Sequence, residues 1–305
     1  MSCAHDRGLS VETVGEQPVA GELVRKAAAA VEDLGFGTLW FPEITGREAM
    51  AQAAILLAAT RHITVASGMT DIYARDPVTD AAAQRTLEEA YPGRFLLGLW
   101  ESHASLAQGV RGHRSGPGLA TMCTYLDVLD NAPFGPPGTV ASPNRVLAAL
   151  DPGMLALAAE RARGATVLGM PVEYTRAART VLGDDGLLAI TQLCVLSHDH
   201  ADTADLARTT AAAALPNRHD LLRGLGHENP DALDSRLVDA LVAHGRARGH
   251  RPPRPRALRR RSRPRQPPPC DHHTRLPART AVGATRRAPT RLTRHTRVGH
   301  GTSAP

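Results

Sequence analysis

From residue 20 to about residue 200, apolar runs of strand length alternate with longer helical patterns. Leu23, Ala27, Ala30, Val31 and Leu34 recur at helical spacing and predict a helix over 20–34. Gly35 and Gly37 stop it, and Thr38–Phe41 follows as a short buried strand ended by Pro42. The β-branched run Ile63–Ser67 predicts a second strand. Pro77 suits a first helical turn and opens a helix over 77–90, which Tyr91-Pro92-Gly93 breaks. Further strands are predicted over 94–99, 146–150, 165–168 and 187–196, and further helices over 47–60, 119–129, 152–161, 172–182, 199–214 and 235–243. The Gly/His-rich stretch 101–118 and the Pro/Gly-rich stretch 131–143 read as loops. A weaker strand over 8–13, with Leu9 and Val11 alternating, precedes the first helix.

Strands that alternate with helices through short loops imply right-handed crossovers and a parallel sheet. Six strands after the first helix, and the weaker one before it, approach the eight of a (β/α)8 TIM-barrel-like α/β fold. An open doubly wound sheet is the second choice, and the lack of a GxGxxG after the first strand weighs against its dinucleotide-binding form.

Charge divides the chain. The formal net charge is +6, yet residues 246–305 hold 17 arginines and one acid, Asp271. The first 245 residues are therefore acidic, which excludes a uniformly basic nucleic-acid-binding fold. The last segment has ten prolines and five residues of the Leu, Ile, Val and Phe types, too little apolar surface to offset ordering entropy. The expected organisation is a barrel domain over 1–245 and an Arg/Pro-rich disordered tail over 246–305. The tail has the composition of a GC-rich gene read out of frame, so a frameshift near Gly245 is the first reading. A basic arm for polyanions is the second. Cys3, Cys123, Cys194 and Cys270 lie far apart without a CxxC, which excludes a cysteine-rich zinc module and a disulfide-dense scaffold. No apolar run reaches a membrane-spanning length, and Met1–Leu9 lacks the apolar stretch of a signal peptide. A cytoplasmic protein is expected.

Several strings occur in a telling order. Leu34-Gly35-Phe36-Gly37-Thr38-Leu39-Trp40-Phe41-Pro42-Glu43 comes first, then Ile63 to Gly68 and Tyr73-Ala74-Arg75-Asp76-Pro77. Tyr91 to Leu99 with Ser102-His103-Ala104 is the most specific, and Met154 to Ala162 with Gly164-Ala165, then Arg236 to Leu241, complete the set. Together they resemble the luciferase-like monooxygenase superfamily, in the branch of oxidoreductases that use coenzyme F420, a deazaflavin. The resemblance covers residues 20–245. It implies a βα barrel, a cofactor at the carboxyl ends of the strands, and hydride transfer to or from a small organic substrate. FMN is the alternative cofactor, in a luciferase-like monooxygenase. A non-catalytic, truncated barrel with a polyanion-binding tail is the alternative outside enzymes. The family closes its barrel with a helix and an eighth strand beyond the segment matching Leu241, and the tail is expected to supply neither. Trp100-Glu101 stands where the family has Gly and a small apolar residue, and threatens to crowd the ring site.

Candidate site residues follow from the residue types and the resemblance. Glu43, just past the second strand, is a candidate acid/base; its plain alternative is a cap or ion pair on the next helix. Ser67, Gly68, Met69 and Thr70 follow the third strand, where the resemblance implies a strained stretch, in some members with a non-prolyl cis bond, backing the cofactor ring. Arg75 either contacts a cofactor phosphate or acidic tail, or pairs with Asp76. Ser102 resembles a cofactor contact, and His103 beside it is the candidate proton carrier. Gly153 opens a helix whose N-terminus suits an anion, although Asp151 works against one. His198-Asp199-His200 cannot converge on one ion, so no metal is expected. A small-molecule substrate is the expected partner and a homodimer one option for assembly; neither a membrane nor a specific nucleic acid is expected.

Overall fold

The computed structural model describes residues 8–10, 20–136, 144–197 and 200–246, with only the backbone of 8–10, 196, 197, 200–202 and 246. The tail expectation, the His198-Asp199 pair and most of the predicted loop 131–143 lie outside the described residues.

Eight parallel staves run in chain order. They are β1 (Gly8–Ser10), β2 (Thr38–Phe41), β3 with its continuation β4 (Thr64–Ser67 and Thr70–Asp71), β5 (Phe95–Trp100), β6 (Arg145–Ala148), β7 (Gly164–Leu168), β8 with β9 (Leu187–Thr191 and Leu193–Ser197), and β10 (Val242–Arg246). Pairing runs β1-β2-β3-β5-β6-β7-β8, with β4 also on β5, and β9 pairs β10 separately. Every pair is parallel. Between consecutive staves the chain crosses over through α1 (Gly21–Asp33), α2 (Ala49–Ala58), α3 (Pro77–Ala90), α4 (Gly118–Asn131), α5 (Pro152–Arg161) and α6 (Val172–Leu182). Helices α7 (His200–Ala214), α8 (His219–Gly224) and α9 (Ser235–Leu241) precede β10. This is the curled parallel sheet of a βα barrel, open between β10 and β1 among the described residues.

Both faces of β2 to β7 are largely buried, as βα crossovers require, whereas β8 is half-exposed. Leu39, Phe41, Val65, Phe95, Leu97, Leu99, Leu147 and Val167 point outward and pack against helix residues such as Leu56, Leu57, Met122, Leu126 and Met154. The alternate positions Ala66, Leu96 and Val146 point inward and form a second cluster with Trp40, Met69 and Leu187. The period of two along each strand thus separates a helix-facing core from a barrel interior.

Four local differences from the sequence reading have identifiable causes. The predicted loop 101–118 contains a π-helical turn over Ser105–Val110, started by the His103 carbonyl, which accepts from Leu106 and Ala107 at 2.9 and 2.8 Å. The predicted strand 187–196 is two strands, broken at Gln192, whose amide donates to the Leu241 carbonyl at 2.9 Å. The predicted helix 235–243 stops at Leu241, and Val242, fully buried, starts a strand parallel to β9. A strand therefore does follow Leu241, where none was expected. Arg145, the first residue of β6, is 1% exposed because its guanidinium meets Asp130 and the Arg161 carbonyl.

Candidate functional site

All parallel strands point their carboxyl ends to one rim, where the loops after β2, β4, β5 and β6 meet. The first feature there is a bulge. Ala66 pairs with Leu96, but the next pair is Thr70 with Leu99, so β3/β4 carries one extra residue. Ser67 compensates: its hydroxyl accepts from the Gly98 N–H at 2.8 Å and donates to the Gly98 carbonyl at 3.1 Å. Gly98 has no side chain because a Cβ there would overlap the Ser67 carbonyl oxygen and the Met69 thioether. The Gly68–Met69 peptide is cis, the feature that the family resemblance implied here. Gly68 lies against the Trp40 indole, and Met69 covers Gly98, so both line the inner face. Thr70, paired with Leu99, stands on the helix-facing side, with its hydroxyl buried and without a hydrogen-bond partner.

The second feature is an ion-pair hub. Glu43 is 5% exposed. Its carboxylate accepts from the Ala49 N–H and the Asp71 N–H, both at 3.1 Å, and from two nitrogens of Arg75. Arg75 also meets Glu48 at 2.6 Å and Asp80 at 3.4 Å. Asp80 in turn accepts from the Tyr125 hydroxyl at 2.6 Å. Burial pushes the Asp80 carboxyl up to about 6, against the pull of Tyr125 and Arg75. Burial opposes the Arg75 charge, but its carboxylate partners, Glu43 foremost, raise its affinity for the proton.

The third feature joins the loops after β4 and β5. Asp71, fully buried, accepts from the Tyr73 N–H at 2.8 Å, the Ser102 hydroxyl at 3.0 Å and the Arg111 Nε at 2.9 Å. Ser102 adopts φ +65°, an uncommon conformation for a residue with a Cβ. His103 is exposed on the rim, and its ring meets the Trp100 indole edge-on, with centroids 4.9 Å apart. Trp100 Nε1 is a buried donor without a hydrogen-bond partner. Glu101 packs its methylene against Gly118, where a Cβ would lie 2.9 Å away. Burial raises the Glu101 carboxyl, and the charge of Asp151 adds to the effect.

The structure thus brings Ser67, Gly68, Met69, Ser102 and His103 to one rim and shows protein partners for Glu43, Arg75 and the start of the helix at Gly153. Glu43 makes the cap and ion-pair contacts of its plain alternative: each oxygen accepts from two donors, including the first N–H of α2. Among the described ion pairs, Arg75 does not meet Asp76. It serves Glu43, Glu48 and Asp80, while Asp76 caps α3 through the Thr79 N–H at 3.0 Å. Gly153 sits on a helix start already capped by Asp151, which accepts from the Met154 N–H at 2.9 Å. A Cβ at 153 would lie 3.0 Å from Leu119 and 3.1 Å from the capping oxygen of Asp151. Sequence reasoning missed Asp71 and Arg111. The only local signal was an acid directly after the stretch 67–70.

Two groups on the inner part of this rim are of the kind that would hold a flat redox ring. The Met69 side of the bulge offers an apolar backing, and the orphaned Trp100 N–H offers a donor that a ring acceptor would satisfy.

Comparison with known proteins agrees with this fold. The family described as luciferase-like monooxygenase matches residues 7–182. A Mycobacterium tuberculosis protein, named provisionally as a coenzyme F420-dependent oxidoreductase, is 30% identical over 122 residues, covering 40% of this chain and 35% of that one. The chain therefore matches only about a third of that curated relative's length. Among solved structures, the coenzyme F420-dependent tetrahydromethanopterin reductase of Methanopyrus kandleri superposes with a TM-score of 0.58 at 16% identity, over 79% of this chain and 86% of that one. The oxygenating component of 3,6-diketocamphane monooxygenase from Pseudomonas putida, solved with FMN, gives 0.56 at 12% identity, over 78% and 84%. At such identities the superpositions speak for the fold alone.

Proposed function

Because the chain belongs to the luciferase-like monooxygenase family, we propose that it is an oxidoreductase that binds coenzyme F420 at the rim and exchanges a hydride with a small organic substrate. The observation that carries this reading is the Ser102–His103 pair directly after β5, beside the orphaned Trp100 N–H and facing a loop tied by the Gly68–Met69 bulge. The identity shared with the curated F420-dependent relative supports the choice of deazaflavin. When bound, the deazaflavin supplies the hydride donor or acceptor.

The chain's own residues do the rest. The bulge at Ser67–Met69 fixes a backing surface, because Ser67 locks both backbone groups of Gly98. Trp100 Nε1, a donor without an acceptor, would hold a bound ring, and Ser102, whose hydroxyl is engaged by Asp71, would offer its backbone beside it. His103, exposed at the mouth, gives or takes the substrate proton. Glu43 and Arg75 hold the loops after β2 and β4 in place and do not meet substrate. Among the described residues no helix is long and apolar enough to cross a membrane.

The matched family's own description favours a second reading, an FMN-dependent monooxygenase. Absorbance titration with oxidised and reduced F420, and with FMN in parallel, separates the two. Saturable F420 binding that His103→Ala leaves intact while it removes turnover supports the proposal. Binding of FMN without F420 replaces it with the second reading, and binding of neither removes both.

A further inference from the structure

Asp71 touches every loop that shapes the rim between β2 and β5. Its N–H donates to Glu43 at 3.1 Å, which ties it to the loop after β2. One carboxylate oxygen holds its own loop through the Tyr73 N–H. The other oxygen holds the loop after β5 twice, through Ser102 at 3.0 Å and Arg111 at 2.9 Å. Arg111 then reaches back to the Ile44 carbonyl at 3.1 Å, so the loops after β2 and β5 are clasped across this one acid. The bond to Arg111 is charge-assisted and Asp71 is fully buried, the setting in which such bonds are strongest.

The consequence lies at Ser102. A residue with a Cβ costs about 1–2 kcal/mol in the left-handed region, and it stays there only where its surroundings hold it. At φ +65° the hydroxyl of Ser102 reaches Asp71, and the chain then turns so that the His103 carbonyl starts the π-helical turn while its ring meets Trp100. Arg111 closes that turn from the other end, again on Asp71.

We propose that Asp71 is a positioning residue that sets the Ser102–His103 strip against Trp100, and thereby the geometry in which cofactor and substrate meet. The inference deepens the function proposed above and rests on its reading of Ser102 and His103 as the site. Asp71 touches neither cofactor nor substrate. It acts through Ser102 and Arg111.

The test uses Asp71→Asn and Ser102→Ala, with His103→Ala as the reference for a Trp100 that has lost its edge neighbour. Three readouts are taken on the full chain: tryptophan emission, hydrogen–deuterium exchange of the 101–112 peptides, and the dissociation constant for F420. Both variants are expected to shift emission toward that of His103→Ala and to speed exchange over 101–112 without speeding it in α5 or α6. Each is expected to weaken F420 binding roughly tenfold, the loss that follows from one charged or buried hydrogen bond. If Asp71→Asn fails to fold, Ser102→Ala decides, because it removes the same bond from the exposed side. Unchanged emission and exchange in the folded variants overturn the role of Asp71, even if F420 binds. Failure of the unaltered chain to bind F420 overturns the proposed function instead, and the emission and exchange readouts still decide whether Asp71 positions the strip.

Discussion

The Ser67 hydroxyl satisfies both backbone groups of Gly98, accepting from its N–H at 2.8 Å and donating to its carbonyl at 3.1 Å. A side chain thus replaces the ladder bonds that the bulge between β3 and β4 removes. Gly98→Ala is expected to cost about 3 kcal/mol or more, because the added methyl meets backbone that cannot rotate away. Ser67→Ala is expected to cost less, about 1–3 kcal/mol, since it leaves two buried groups unpaired without a clash. Urea unfolding of both variants checks the order; equal losses would show that the bulge is held by something other than Ser67.

Arg75 is enclosed by Glu43, Glu48 and Asp80, and only 9% of its side chain is exposed. Removing it leaves buried carboxylates without their cation. Arg75→Ala is therefore expected to destabilise by about 3–5 kcal/mol, the usual result of breaking a buried ion pair from one side. Arg75→Lys keeps the charge but loses the fork that spans both oxygens of Glu43, and should fall between the two. An arginine that instead held a cofactor tail would leave thermal stability unchanged and weaken cofactor binding alone.

The elements that the sequence disclosed most fully are those with local markers. Helices α3 and α5 run from Pro77 to Ala90 and from Pro152 to Arg161, as predicted, because proline marks the first turn and an aspartate caps each. The β8/β9 break was hidden because Gln192 acts on Leu241, 49 residues away. The same holds at the site. The placing of Ser67–Met69, Ser102 and His103 at strand ends was legible from the sequence, whereas Asp71 meets Arg111 across 40 residues, and no local spacing encodes that contact. The donors that reach the Glu43 carboxylate come from α2, from β4 and from the loop after β4, and could not be read from local spacing.

The raised Asp80 carboxyl predicts a stability slope with a definite sign. Unfolded, the group titrates near its ordinary 3.8, and folded near about 6, because it is buried. The folded state thus binds more protons between these values, so the contribution of Asp80 is fully present below the lower value and is lost as pH rises through the upper. Asp80→Asn keeps an acceptor for Tyr125 and removes the titration. Its unfolding free energy is expected to change less between pH 4 and pH 6 than that of the unaltered chain, with the two profiles parallel above pH 7. Denaturant melts across that range measure it, and an unchanged slope would place the proton elsewhere in the Arg75 hub.

Trp100 brings stability and binding into opposition. Its indole N–H is buried without an acceptor, which costs the ligand-free chain about 1–3 kcal/mol relative to a satisfied donor. Trp100→Phe keeps an aromatic ring next to His103 and deletes the orphan donor. The melting temperature of the ligand-free variant is therefore expected to hold or rise, although some packing area is lost. If a ring acceptor is what the N–H serves, the same variant should bind F420 about tenfold more weakly. A variant that is both more stable and a tighter binder would mean that the indole obstructs the ring, and that the Gly ordinarily found at this place in the family is the better neighbour for a cofactor. Paired thermal melts with and without F420 distinguish these outcomes, because the ligand-induced shift reports affinity while the ligand-free midpoint reports the cost of the orphan donor.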